Sequence, residues 1–436
     1  MAEKRANPGT LLIKGGHVVD PAAHVNAPMD VLVRDGRVAE VAAPNKVRGA
    51  ADEKIDARGL MVAPGFIDLH VHLREPGQSY KESIATGTAA AAAGGFTSVC
   101  CMPNTVPVID TPEWVTWLRQ TERGALVQVF PIAAATHSSR GAVITDFRAL
   151  KSAGAVGVSD DGKPILYDDV MRAVLQRATE SKLVVVQHAE DTRETENCSM
   201  NFGAKSFRLG LRGMKTSAES SIVERDVHLA QQIPGSRLHV AHLSTADALK
   251  AVRWGKRARA QVTCEVTPHH FTLTDEDMPE YDSHYKMNPP LRTPSDREAL
   301  IVALADGTVD AIATDHAPHA SHEKQVEFER AAFGVTGLET ALPLAITKLH
   351  IEHKIPITRI IELLSSGPAR IFDLRARGSL APGNIADVTI FDPKKRWRFE
   401  ARKSRSKSHN TPFDGWQLTG KVIMTVVSGH VVFRGD

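Results

Sequence analysis

A chain of 436 residues, 42% apolar, 24% charged and only 5% aromatic, has the composition of a globular protein long enough for one large core and a smaller one, which excludes fibrous and low-complexity classes. Its 53 Lys and Arg against 51 Asp and Glu leave a formal charge of +2, which excludes the basic footprint of a nucleic-acid binder and charge-driven adhesion to a membrane. No apolar run reaches the roughly 18 residues that span a bilayer, and Met1–Thr10 (MAEKRANPGT) lacks the apolar stretch of a secretion signal, so a cytoplasmic protein is expected.

Residues 11–62 read as short antiparallel strands joined by Gly and Asp turns: LLIKGGHVVDP, then DVLVRDGRVAEVA, then a third around Gly59 to Val62. Similar segments return near the end, in ADVTIFDP (386–393) and GKVIMTVVSGHVVFRG (420–435). Neither set has enough strands to make a sandwich alone. The expectation is therefore one composite small β domain from residues 1–62 and 377–436, with residues 63–376 inserted between its halves.

From Gly65 to about Gly367 the pattern becomes strand, loop, helix, repeated. Apolar runs end at His70 and His72, Cys101, near Ala134, at Asp160 and Asp161, at His188, at His242, at Val266 and at Asp315. Helix-like stretches lie between them, among them Lys81–Ala93, Glu113–Glu122, Asp168–Ser181, Ser217–Gln232 and Thr245–Gly255. Eight alternating units predict an α/β fold, a (β/α)8 TIM barrel over 63–376 with a small β-sandwich from both termini. A doubly wound open sheet is the alternative, but no G-x-G-x-x-G turn supports it.

The stretch GFIDLHVHLREPG (65–77) opens the barrel pattern. In a strand over Phe66–Leu73, Asp68, His70, His72 and Arg74 share a face. Two imidazoles two residues apart can hold a divalent ion, with a guanidinium beside them for an anion; the competing reading is a pair of structural, hydrogen-bonded histidines. The other strand ends decide between them. Ser159, Asp160 and Asp161, then His188, His242 and Asp315, bring nitrogen and carboxylate donors to the face where barrels carry their chemistry, in numbers sufficient for two zinc-like sites. Asp160 and Asp161 cannot both point inward from an extended strand, so one is a candidate ligand and the other its support. Asp315 has two compatible roles, ligand and general acid/base.

Taken together, GFIDLHVHLREPG, MPNT (102–105), SDDG (159–162), VAHLST (240–245), MNPPLR (287–292), ATDHAPH (313–319) and NTPFDGWQLTG (410–420) resemble the dihydroorotases of the amidohydrolase superfamily, in their longer bacterial type. The resemblance covers the whole chain. The first motif alone is shared with hydantoinases and allantoinases; the combination is narrower. It implies that His70, His72 and Asp315 hold one metal, His188 and His242 a second, and Asp161 bridges both, where many relatives use a carboxylated lysine. Here Lys163 lies beyond the glycine, which implies the aspartate subtype and one or two zinc ions per chain. It implies further that Arg74, Asn104 and Asn288 receive the substrate with His72, that His319 lies beside its carboxylate, and that the Phe333 and Gly334 backbone lies against its ring.

The implied reaction is the reversible cyclisation of N-carbamoyl-L-aspartate to (S)-dihydroorotate in pyrimidine (UMP) biosynthesis, by metal-activated hydroxide with catalytic Asp315 carrying the proton. Arg74 would select the carboxylate that hydantoin lacks. The alternatives are another cyclic amidase, allantoinase or hydantoinase, and a low-activity scaffold partner of aspartate transcarbamoylase. Expected partners are the small-molecule substrate, a second copy in a homo-oligomer, and aspartate transcarbamoylase.

Other segments carry blander expectations. Cys100, Cys101, Cys198 and Cys264 show no C-x-x-C spacing and read as reduced and mostly buried. His269 and His270 read as structural or loop groups. His319–Gly334 is a lid or a surface helix, and Ala401–Asn410 (ARKSRSKSHN) a solvated basic loop.

Overall fold

The computed structural model describes residues 9–120 and 124–435. Met1–Pro8, Thr121–Arg123 and Asp436 lie outside the described residues, and with them most of MAEKRANPGT and the last turn of the helix expected to Glu122.

Eight parallel strands follow one another around the central sheet in chain order: Phe66–Val71, Phe96–Cys101, Gln128–Ala133, Gly157–Val158, Val184–Gln187, Arg237–Val240, Gln261–Val266 and Ala311–Ile312. A parallel bridge between Val71 and His316, reinforced by His72 N–H donating to the His316 carbonyl at 2.9 Å, joins the last strand to the first and closes the barrel. The expected strand ends and the observed ones agree to within a few residues. Val, Ile, Leu, Phe and Cys dominate these strands because parallel barrel strands are covered on both sides, and the acids and histidines among them, Asp68, His70, His239 and Glu265, are buried and hydrogen-bonded.

Helices fall where the apolar period changes. Asp168–Ser181 and Ser217–Gln232 match their expected spans, and Ala246–Arg257 and Ile84–Ala93 differ by a few residues. Pro112–Leu118 is shorter than expected. The alanine-rich Ile84–Ala93 is fixed by a capping box, with Ser83 and Thr86 exchanging hydrogen bonds at its start, a device that typically contributes about 1 kcal/mol. Small residues let it lie close to the barrel: a Cβ on Gly87 would stand 2.6 Å from Leu73 Cδ2.

The terminal segments share one mixed sheet. Its strand path runs His430–Arg434, Gln417–Val427, Val388–Arg398, Met61–Pro64, Thr10–Asp20, Val25–Arg34 and Arg37–Ala42, with Glu53–Asp56 also pairing Thr10–Asp20. The C-terminal Val388–Arg398 pairs with the N-terminal Met61–Pro64, so the two ends of the chain complete one element. Val38 near one edge and Met424 and Val426 near the other belong to one buried cluster with Ile13, Val31 and Ile390. The sheet therefore curls over its own core as a sandwich.

Three expectations are corrected. The first barrel strand ends at Val71 rather than Leu73, and Arg74 turns at φ 61, so simple alternation does not carry it to the site. Ala401–Asn410 is solvated only on one side: Arg402, Lys403, Arg405 and Lys407 are exposed as expected, while Ser406, Ser408 and Asn410 are buried and tie the segment to the barrel. His319–Gly334 is not a surface helix; only Ser321–Lys324 is helical, and Lys324 is buried.

Candidate active site

The strand-end donors meet at the C-terminal mouth of the barrel. His70 Nε2 lies 3.5 Å from both Asp161 Oδ1 and Asp315 Oδ1; His72 Nε2 lies 3.0 Å from Asp315 Oδ1 and 3.7 Å from Asp161 Oδ2. His188 Nδ1 and His242 Nε2 approach Asp161 Oδ1 to 3.7 and 4.0 Å and each other to 2.9 Å. All six side chains are buried. Segments separated by nearly 250 residues thus present their nitrogen and oxygen atoms to one small volume.

The left-handed backbone of three non-glycine residues helps to explain how. Arg74, His242 (φ 30) and Asp315 (φ 48) all adopt it just past strand ends, a conformation that costs each about 1 kcal/mol or more and re-aims its side chain. Asp68, expected on the same face as His70, instead accepts from Thr314 N–H (3.1 Å) and Oγ1–H (2.6 Å), tethering the first strand to the eighth. Asp160 accepts from Thr136 N–H at 2.9 Å and from its hydroxyl, which turns it away from the cluster and leaves Asp161 inside.

The donor set fits a divalent metal. His70, His72 and Asp315 form one group with all ligand atoms within 4.8 Å of one another, and His70, Asp161 and His242 another. Around a tetrahedral ion with bonds of about 2.1 Å, donors sit roughly 3.4 Å apart, close to the spacings here. His70 Nε2 is buried without a hydrogen-bond partner, while Nδ1 faces Glu265 Oε1 at 3.0 Å. A ligand histidine has this arrangement: one nitrogen fixed by a carboxylate, the other free for the ion. His72 repeats it with Asn104 Oδ1 at 2.8 Å from Nδ1. Burial alone would raise the carboxyls of Asp161 and Asp315; the surrounding histidines, His70 foremost, reverse this and hold both well below the ordinary carboxylate range. Both are therefore ionised and available as ligands.

Beside this cluster lies a cationic pocket. Arg74, buried, donates from Nε to the Pro318 carbonyl (3.1 Å) and from Nη2 to His319 Nε2 (3.2 Å). A guanidinium has no acceptor, so His319 Nε2 accepts and the imidazole is neutral with its proton on Nδ1. Burial, then Arg74 and Lys81, depress its basicity to about 2, in keeping with that state. Lys81 pairs with Glu323 at 2.8 Å on the same wall.

Asn104 spans two members of the cluster, facing His72 Nδ1 with its oxygen and donating from Nδ2 to Asp161 Oδ2 at 2.9 Å. Asn288 lies beside His188, its amide donating to Glu190 Oε2 at 2.8 Å. Phe333 stacks under the Lys286 ammonium, 4.3 Å from the ring centre, and Gly334 packs against His319.

Several contributors escaped the sequence reading. Glu265 faces both His70 and His239, at 3.0 Å each. Glu190 faces His188 Nε2 at 2.9 Å, and against burial it holds that imidazole above its ordinary range. Asn410, from the C-terminal return, accepts from His319 N–H at 3.0 Å. Glu265 had a signal: one carboxylate inside the apolar strand QVTCEV, where an unpaired charge is prohibitive. Asn410 had none.

A closed (β/α)8 barrel with imidazoles and carboxylates gathered at its mouth and a terminal β-sandwich places the protein in the amidohydrolase class. Residues 59–248 match the family model of dihydro-orotase-like proteins. The chain is 48% identical over 429 residues to a dihydroorotase of Geobacter sp. (strain M21), covering 97% of this chain and 99% of that protein. It is also 48% identical over 420 residues to one of Solibacter usitatus (strain Ellin6076), covering 96% and 97%. Among solved structures it resembles the L-hydantoinase (dihydropyrimidinase) of Arthrobacter aurescens, with a TM-score of 0.88 at 25% identity over 98% of this chain and 97% of that one. The chain belongs to the dihydroorotase family, and it is a cyclic amide hydrolase.

Proposed function

We propose that the chain interconverts (S)-dihydroorotate and N-carbamoyl-L-aspartate at the mouth of the barrel, with zinc as its metal. The observation that carries this reading is the adjacency of a metal-ready cluster, His70, His72, Asp161 and Asp315, to a buried guanidinium, Arg74. Cyclic ureides without a carboxylate would leave that cation unpaired, which disfavours the hydantoinase and allantoinase readings. His188 and His242 supply donors for a second ion, so the stoichiometry is one or two.

When bound, the metal acidifies a water and polarises the ring amide carbonyl. The protein's own groups do the rest. Arg74, with Asn104, grips the substrate carboxylate and sets the ring's orientation, and the neutral His319 lies beside that carboxylate and holds the guanidinium in place. His72, Asn288 and the Phe333–Gly334 backbone complete the walls. Asp315 Oδ takes the proton of the attacking water and delivers it to the departing ring nitrogen; in the biosynthetic direction it carries the proton back. The balance is one water added across the ring C–N bond, giving a free carboxylate and a carbamoyl nitrogen.

The chain is read as a composite β domain, residues 1–62 and 377–436, around a catalytic barrel, 63–376; the pairing of strands from both ends supports that division. Among the described residues no helix is long and apolar enough to cross a membrane, in keeping with a cytoplasmic enzyme that acts on a small polar substrate. A homo-oligomer, and association with aspartate transcarbamoylase, the preceding enzyme, complete the reading.

The test is metal analysis of purified protein with a dihydroorotate assay in both directions, repeated on Asp161→Ala and Arg74→Met. The expected results are bound zinc and turnover in the wild type, loss of metal in the first variant, and a KM rise of at least about tenfold at retained metal in the second. Metal-free, inactive wild-type protein, or turnover of hydantoin equal to that of dihydroorotate, overturns the reading.

A further inference from the structure

Two lysines in the region 286–334 are buried without a carboxylate bonded to either. Lys324 is 3% exposed, and its ammonium donates to the carbonyls of Ala332 (2.8 Å), Gly334 (3.1 Å) and Lys286 (3.2 Å). Lys286 is 1% exposed and donates to the carbonyls of Phe328 (2.7 Å) and Glu329 (2.9 Å). Lys286 also lies over the Phe333 and Phe328 rings, but Lys324 has backbone carbonyls alone, and burying a cation against those is costly. Burial, with Lys286 close by, draws Lys324 down to about 7. A leucine or methionine would fill such a place at less cost if packing were the only need.

What the ammonium organises is the wall of the carboxylate pocket. Gly334 has no free backbone hydrogen-bonding group: its N–H donates to the Lys286 carbonyl at 3.0 Å, and its carbonyl accepts from Lys324 and from Asn410 Nδ2, the latter at 3.0 Å. It lies at φ 135, and a Cβ there would stand 2.7 Å from Ala317 Cβ and 3.2 Å from His319 Cδ2, so the bare peptide is pressed against the His319 ring. His319 in turn meets Arg74 Nη2. Contact therefore runs unbroken from Lys324 through Gly334 and His319 to the guanidinium.

We infer that Lys324 is a positioning residue for substrate binding: by gathering the carbonyls of Lys286, Ala332 and Gly334 it seats the 328–334 loop against His319 and so fixes the anion pocket at Arg74. This rests on the reading of Arg74 and His319 as the substrate's carboxylate receptor. Lys324 touches no proposed metal ligand in the hydrogen-bond pattern, so its effect belongs to substrate affinity and not to the chemical step.

The test uses the full-length protein with Lys324→Met, which removes all three donors, and Lys324→Gln, which keeps two N–H groups. Lys324→Met is expected to raise KM for dihydroorotate about tenfold with kcat within about twofold and metal content unchanged, and Lys324→Gln to fall between it and the wild type. A second readout needs no turnover: without substrate, tryptic cleavage after the exposed Arg330 accelerates in both variants as the loop loosens. Unchanged KM and unchanged cleavage, or a fall in kcat at unchanged KM, overturn the inference; should Lys324→Met not fold, Lys324→Gln decides it alone. A wild type that fails to turn over dihydroorotate would end the functional reading and with it the substrate role of Lys324, and the cleavage readout would still decide whether Lys324 seats the 328–334 loop.

Discussion

Glu265 shows how one side chain can prepare another. It stands on the seventh strand between His70 and His239, fully buried, and against the cost of burial its two imidazole neighbours hold its carboxyl down to about 2. It is thus an anion at any working pH, and it orients His70 so that Nε2 is the nitrogen offered to the cluster. Glu265→Gln keeps the shape and removes the charge. Metal affinity, measured by competition with a chromophoric chelator, is expected to weaken by about 10- to 100-fold, with far-UV circular dichroism unchanged. His70 and His72 were legible as candidates from their spacing alone. Glu265 was not, because nothing in QVTCEV says which residue its carboxylate meets across 195 positions of chain.

At the scale of an element, the helix Ser217–Gln232 carries two buried acids, Glu219 and Asp226, two turns apart on its barrel face. Glu219 is fully used: it accepts from the backbone N–H groups and hydroxyls of Ser244 and Thr245, fixing the loop that follows His242. Asp226 is less well served. Burial pushes its carboxyl up to about 6 in spite of Arg225 at 2.7 Å. A folded-state value above the unfolded one means that the folded chain binds the proton more tightly. The associated stability is complete below about pH 4 and is lost as pH rises through about 6, a deficit of at most about 3 kcal/mol above that range. Asp226→Asn removes the titration. The melting temperature of the variant minus that of the wild type is expected to be larger at pH 8 than at pH 5 by calorimetry, and an equal difference at both would refute it.

Element positions were largely readable, since alternation of apolar strands with amphipathic helices is a local property. Departures came where tertiary contact overrode local preference. Arg74, His242 and Asp315 leave the extended conformation at the strand ends, and the charged run 401–410 packs against the barrel because Glu82, buried, accepts from Ser406 Oγ–H and Lys407 N–H. The Lys and Arg side chains of that run are exposed, as its composition suggests; that its serines turn inward becomes visible only with the buried carboxylate that receives Ser406.

For the molecule as a whole, the handover from sandwich to barrel falls on Gly65, between the sheet strand ending at Pro64 and the barrel strand beginning at Phe66. Its N–H donates to the Asp387 carbonyl at 2.8 Å, and a Cβ there would stand 2.2 Å from Thr97 Oγ1. Gly65→Ala must push the two units apart or distort the strand pair. A loss of about 1–3 kcal/mol is expected, seen as a lower melting temperature, with partial recovery in Gly65→Ala/Thr97→Ala because the second change removes the nearest atoms.

The sequence by itself determined the number and order of the barrel strands, the pairing of both chain ends in a small β unit, and which histidines and aspartates were available for a metal. These follow from periodicity and from polar residues placed at the ends of apolar runs, both of which are properties of neighbouring positions. Tertiary structure decided that Asp160 turns to Thr136 and leaves among the histidines Asp161, the residue the family motifs pointed to, that Asp68 ties strand one to strand eight, and that Lys324 and Asn410 both bind the Gly334 carbonyl beside His319. Those outcomes depend on which hydrogen-bond partner a buried polar group finds once distant segments are packed, and that choice is made only when the chain has closed around it.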